Sequence, residues 1–196
     1  MTASFAAPPT LAFRAGPRSV AVPRAVALTV GGALFTAVMA QLTLHLPWTP
    51  VPVTGQTFAV LLVSATLGMR LGTASMGLYV VLGAIGLPFY ADGQGGWTVA
   101  TGSTAGYLVG FVIAAALVGA LAERRQDRAL LTALPAALAG TAVIYACGAT
   151  WLARSLGVSA DEAIALGVTP FLLGDAAKIV VAGVGLPLAW RLAGGR

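Results

Sequence analysis

Apolar residues run through this chain in six long stretches, at about residues 23–44, 56–69, 71–87, 104–122, 129–153 and 170–190. The breaks between them are short and rich in proline, glycine or charge. A helix needs about 20 predominantly apolar residues to cross a bilayer. The pattern therefore predicts six transmembrane helices, with the short second stretch tilted or buried. The first carries small residues at Gly31, Gly32, Ala33, Ala37 and Ala40, which permits close helix contact. Pro47, Pro50 and Pro52 forbid a regular helix in the next segment, where Trp48 suits the membrane surface. The break after the third stretch is glycine-rich and reads as flexible; it carries Tyr90, Asp92, Gln94 and Trp97. Gly106 and Gly110 suit helix packing in the fourth. Ser159, followed by Asp161 and Glu162, predicts a short capped helix before the last stretch, which opens with Thr169 and Pro170. Residues 1–19 are rich in alanine and proline, do not look like a cleaved signal peptide, and read as a disordered cytoplasmic tail ahead of one domain at 20–196.

Composition agrees. The chain has 196 residues, 58% hydrophobic and 9% charged, against about 25% charged in soluble domains. It reads as an all-α integral membrane protein, and no polar stretch is long enough to fold as an aqueous catalytic domain. Six crossings put both termini on one side. Arg14, Arg18, Arg24, Arg70, Arg124, Arg125, Arg128, Arg191 and Arg196 fall on that side and Arg154 alone on the other. The positive-inside rule makes the termini cytoplasmic. These arginines read as topology signals and lipid contacts, not as a nucleic-acid surface. The single Cys147 and single His45 exclude an intrachain disulfide and a zinc site of the two. No serine elbow, His-Glu-x-x-His helix or phosphate loop is present. The chain reads as neither an enzyme nor an ATPase, with no cofactor and no metal, so active transport would need another protein or an ion gradient.

Asp175 and Lys178 stand out, because they are charges within an apolar span and Lys178 is the only lysine. A charge at that depth costs about 2.5–3.5 kcal/mol on insertion scales. Three residues apart, the two share a helix face. With the helix starting at Pro170, they lie about 7–12 Å below its outer end, beneath the proline-rich and glycine-rich loops. The pair reads either as a self-satisfied ion pair or as the floor of a polar pocket. As a floor it suits a small planar group offering N–H and C=O side by side, such as a urea or amide. Alternatively, Lys178 meets a substrate carboxylate, and burial alone does not separate these options. Gln56, beside Thr54 and Thr57, reads by itself as a cap or interfacial group. Tyr107 suits an aromatic belt equally well. The run Glu123, Arg124, Arg125, Asp127, Arg128 reads as a solvated turn.

Three motifs carry a family resemblance over residues 24–190. They are Pro50-Val-Pro-Val-Thr-Gly-Gln-Thr-Phe58; Leu78-Tyr-Val-Val-Leu-Gly-Ala-Ile-Gly-Leu-Pro88 continuing to Gly102-Ser-Thr-Ala-Gly-Tyr107; and Pro170 with Asp175-x-x-Lys178. In these the chain resembles the biotin-specific S components (BioY) of energy-coupling-factor vitamin transporters. The resemblance implies a six-helix S-component fold in the cytoplasmic membrane of a prokaryote, binding biotin near the outer surface. Asp175 and Lys178 match the family's Asp-x-x-Lys, and Thr54, Gly55 and Gln56 its Thr-Gly-Gln. It also implies substrate contacts from Tyr90, Asp92, Gln94 and Tyr107, with residues 89–101 closing the pocket. Ala33 and Ala37 match a motif that docks on a transmembrane coupling subunit, which two cytoplasmic ATPases would drive. Homo-oligomerisation stays open. Ser103 and Ala105 stand where the family has proline and glycine, which alters the entry to the fourth span. An ion-coupled secondary transporter of another small vitamin-like solute, using Asp175 and Lys178, is the alternative.

Overall fold

The apolar stretches fold as helices in the order their pattern sets. The computed structural model describes residues 4–6, 9–13 and 19–192. Its helices are α1 (Val22–Ala40), α2 (Gln56–Ala84), α3 (Trp97–Ala100), α4 (Ala105–Glu123), α5 (Leu130–Leu156), α6 (Ala160–Gly167) and α7 (Leu172–Leu192). Among the described residues, five segments are long and apolar enough to cross a membrane: α1, α2, α4, α5, and α6 with α7 as one stretch. The chain is a largely helical, multi-pass membrane protein.

The 29 residues of α2 do not run straight. Gly68 has φ 83° and ψ 178°, which a residue without Cβ adopts without strain. In a straight helix, Ser64 and Gly72 would stand about 12 Å apart. Instead a Cβ added to Gly72 would lie 2.9 Å from Ser64 Cα. Gln56 and Tyr79, 23 positions apart, share a hydrogen bond. The two arms therefore fold back on each other, and they correspond to the separate stretches at 56–69 and 71–87. The hinge frees a backbone donor, Met69 N–H, which the Glu123 carboxylate accepts at 2.8 Å. Gly119 lets α4 press against the hinge backbone, where any side chain would collide with Gly68 and Met69.

Helix α1 lies across both arms, with Gly32 against Val63 and Ser75. Ala33 and Ala37, expected to dock on a partner subunit, lie on the inner side of this helix. They are 0% and 7% exposed, turned inward because the small-residue stripe is what lets α1 approach α2 closely. The outer face of α1 carries Val26, Ala27, Val30, Gly31, Leu34 and Val38.

The end of the bundle near the hinge is braced. One expectation is corrected there. The run Glu123 to Arg128 is not simply a solvated turn. Asp127 is buried, with its Oδ2 accepting from the Trp190 indole N–H, and the Arg128 guanidinium lies 4.0 Å over the Trp190 ring. Burial pushes the Asp127 carboxyl above the usual carboxylate range. The disordered-tail expectation falls partly on residues 1–3, 7–8 and 14–18, which lie outside the described residues, as do Arg14, Arg18 and Arg196. The described part has regular structure. Strands β1 (Ser4–Ala6) and β2 (Ser19–Ala21) pair antiparallel. A 3-10 turn at Leu11–Phe13 buries Phe13 beneath the Arg24 guanidinium. Arg128 donates to Pro9 O at 3.2 Å.

The opposite end carries the loops. The proline-rich segment is closed at its base by β3 (Thr43–Leu44) and β4 (Val53–Thr54), a pairing the prolines mask in the sequence. Thr49 Oγ1 donates to Leu166 O at 2.6 Å. Ser159 caps α6, accepting from Glu162 N at 3.3 Å. The glycine-rich loop is pinned by Tyr90, which is buried edge-on to Tyr79 and donates its hydroxyl to Val80 O at 2.7 Å. Gly106 and Gly110 pack α4 on α5, as their spacing predicts.

The hinge packing is testable by thermal unfolding in detergent. Gly119→Val overpacks a backbone contact and is expected to cost about 1–3 kcal/mol. Gly77→Ala, which meets nothing within 4 Å, is expected to leave the midpoint unchanged or raised. Equal midpoints for Gly119→Val and the parent protein would refute the close α4–hinge contact.

Candidate functional site

The floor of the site is built around Asp175, which is 3% exposed on the first turn of α7. A buried carboxylate needs donors, and three separate segments supply them. Lys178 Nζ, one turn on, lies 2.6 Å from Oδ1. Thr57 Oγ1, from the first turn of α2, donates to the same oxygen at 3.1 Å. Tyr145 OH, from α5, donates to Oδ2 at 2.7 Å. A carboxylate has roughly four acceptor sites, so one remains for a ligand N–H.

Lys178 is fully committed. Its ammonium donates to Thr54 O at 2.6 Å, Thr57 Oγ1 at 3.0 Å and Asp175 Oδ1 at 2.6 Å. An ammonium has only three hydrogens. The charge of each residue is cancelled by the other, and the strand β4 carbonyl completes the set. Gln56 adjoins them. Its Oε1 accepts from Thr54 Oγ1 at 2.7 Å, and its Nε2 donates to Tyr79 OH, leaving a second amide hydrogen.

Above this floor is a cavity of about 320 Å³, within the size range of small-molecule sites. Its walls include Val53, Val99, Leu108, Phe111 and Phe171, and its mouth includes His45, Asp92 and Gln94. Apolar walls over a polar floor suit a small, largely apolar solute with a compact polar head.

Asp175, Lys178, Gln56, Thr54, Tyr90, Asp92, Gln94 and Tyr107 all line this cavity. Gly55 does not. A Cβ there would lie 2.6 Å from Met39 O, so its lack of a side chain lets the strand-to-helix corner meet the end of α1. Tyr107 contributes its ring, while its hydroxyl donates to Gly167 O at 2.6 Å. Tyr145, Phe111, Phe171 and His45 were not among the sequence candidates. Tyr145 sits in a largely apolar stretch with no charged neighbour to flag it. His45 stands out in the sequence only as its single histidine.

A polar-floored cavity sunk in a bundle of membrane-length helices defines a membrane-embedded solute-binding protein. The chain belongs to the BioY family, whose model matches residues 12–195. It is 39% identical over 150 residues to the biotin transporter BioY of Thermotoga maritima, covering 76% of this chain and 87% of that one. It is also 39% identical to the probable biotin transporter BioY of Pyrococcus horikoshii, over 81% and 90%. A crystal structure of the S-component for biotin from an ECF-type ABC transporter superposes with a TM-score of 0.78. It covers 89% of this chain and 93% of the other at 22% identity, a likeness of fold.

Removing one member of the buried pair should cost more than removing both. Lys178→Met is expected to destabilise the protein by about 3–5 kcal/mol. Asp175→Asn combined with Lys178→Met should recover much of that loss in detergent unfolding. A double variant as unstable as the sum of the singles would show that the two charges do not compensate each other.

Proposed function

We propose that this chain is the biotin-binding S component of an ECF-type importer in a prokaryotic cytoplasmic membrane. The observation that carries this reading is the Asp175–Lys178 floor, buried beneath a cavity of the right size in a chain of the BioY family. The relatives named as biotin transporters support the substrate. The floor suits it chemically. The remaining acceptor site of Asp175 can take a ureido N–H, and the free amide hydrogen of Gln56 can meet the ureido oxygen. Phe111, Phe171 and Leu108 can cover the fused thioether ring by apolar burial.

The arms of α2 count as two crossings in this reading, so the bundle crosses six times with both termini cytoplasmic. Arg70, beside the hinge, and Arg124, Arg125 and Arg128, after α4, share one end, held together by the Met69–Glu123 hydrogen bond. Arg154 lies toward the other. This charge asymmetry supports placing the braced end in the cytoplasm and the cavity mouth outside. The chain carries no ATPase of its own, and a coupling subunit with two ATPases supplies the work. Because Ala33 and Ala37 face inward, docking falls to the outer face of α1, where Ala27 and Gly31 leave room for a close helix approach.

Two measurements test this. Purified protein should bind labelled biotin, displaced by desthiobiotin but not by thiamine or riboflavin. Asp175→Asn and Lys178→Ala should each weaken binding by more than roughly tenfold, about 1.4 kcal/mol. Unchanged affinity in both folded variants would remove the pair from the site. For docking, Gly31→Trp should retain biotin binding but lose co-purification with the coupling subunit. Intact co-purification would count against the α1 face.

A further inference from the structure

The donor accounting at the floor leaves no uncommitted cation for a ligand carboxylate. Lys178 has an acceptor for each of its hydrogens, and Asp175 repels an anion. Among the described residues lining the cavity, His45 is the only other basic side chain. It follows β3 and stands at the mouth, 64% exposed.

His45 Nε2 lies 2.9 Å from Asp92 Oδ2. A carboxylate oxygen only accepts, so this nitrogen carries a hydrogen. Asp92 does not depend on His45 for its position. It sits in a left-handed turn, with φ 59° at Asp92 and 68° at Gly93. Its other oxygen accepts from Thr43 Oγ1 at 2.7 Å. The histidine is thus a donor at the mouth, held by a carboxylate that stays anchored when the histidine lets go.

Resting on the biotin reading above, we infer that His45 is the anion-reading residue of this site. The ligand carboxylate takes the place of Asp92 on Nε2, at the end of the cavity remote from Asp175. The exchange replaces one carboxylate with another on the same donor, so neither the histidine nor the ligand anion is left unpaired. Asp92 acts in the opposite sense: it competes for the donor and repels the incoming anion. The pair makes the mouth specific for solutes with a carboxylate opposite their polar head. A neutral solute offers His45 only an uncharged acceptor, weaker than the Asp92 carboxylate it would displace, and so leaves the His45–Asp92 pair in place.

The test is the ratio of affinities for biotin and its neutral amide, measured by calorimetry on the purified full chain. Loop disruption weakens both ligands alike and cancels in the ratio. His45→Ala should lower the acid-to-amide ratio by roughly tenfold, the worth of one hydrogen bond to a charged group. His45→Gln, which keeps an N–H, should restore part of it. Asp92→Asn should raise the ratio. Ratios unmoved in all three variants, with biotin still bound, would overturn this inference and leave the biotin reading intact. So would a ratio that collapses in Lys178→Ala but survives in His45→Ala, since that puts the carboxylate on the floor. If the unmodified protein binds neither ligand, the biotin reading falls and this one with it.

Discussion

The ion pair between Asp175 and Lys178 is the constraint around which the rest of the molecule is arranged. Two charges in a low-dielectric interior repay their desolvation only when every remaining donor and acceptor is met. Here the partners come from far apart in the chain. Thr54 ends β4, Thr57 opens α2 and Tyr145 lies midway along α5. Satisfying one pair of side chains thus ties α7 to three other elements at one depth. The cavity lies over this knot. A self-satisfied ion pair and a pocket floor, which looked like competing readings of the sequence, are here the same object.

The two ends of the bundle are built differently. At the hinge end, Gly68 turns α2 back on itself, Glu123 takes the freed amide, and Asp127, Trp190 and Arg128 stack over the end of α7. These contacts close around one backbone turn and the end of one helix. At the loop end, beyond the β3–β4 pairing, the loops meet through single side-chain contacts: Thr49 on Leu166 O, Gln41 on Tyr90 O and His45 on Asp92.

Much of this was legible beforehand, for identifiable reasons. The helices announce themselves because the bilayer imposes a length on every apolar run. Ser159 announces α6 because a cap has a local signature. Asp175 and Lys178 are conspicuous because charge is costly where they sit. Other features left no such mark. Tyr145 is one aromatic among apolar residues, and only packing brings its hydroxyl to a carboxylate 30 positions away. The strand pair beside the prolines depends on the chain returning to itself. Ala33 and Ala37 show the opposite failure. Their spacing permits close contact, but spacing does not say with what. The structure uses them inside, against α2, and leaves Ala27 and Gly31 outside.

By itself the sequence determined the long apolar helices, the uneven spread of its arginines and the conspicuous charged pair. Each follows from a local rule of burial, capping or charge that acts on neighbouring residues. Only the tertiary structure decided which way each helix face turns, which donors complete the floor, and that His45 meets Asp92 across two loops. Those are choices among partners distant in the chain, and they are made by close packing and by the need to pair every buried polar atom.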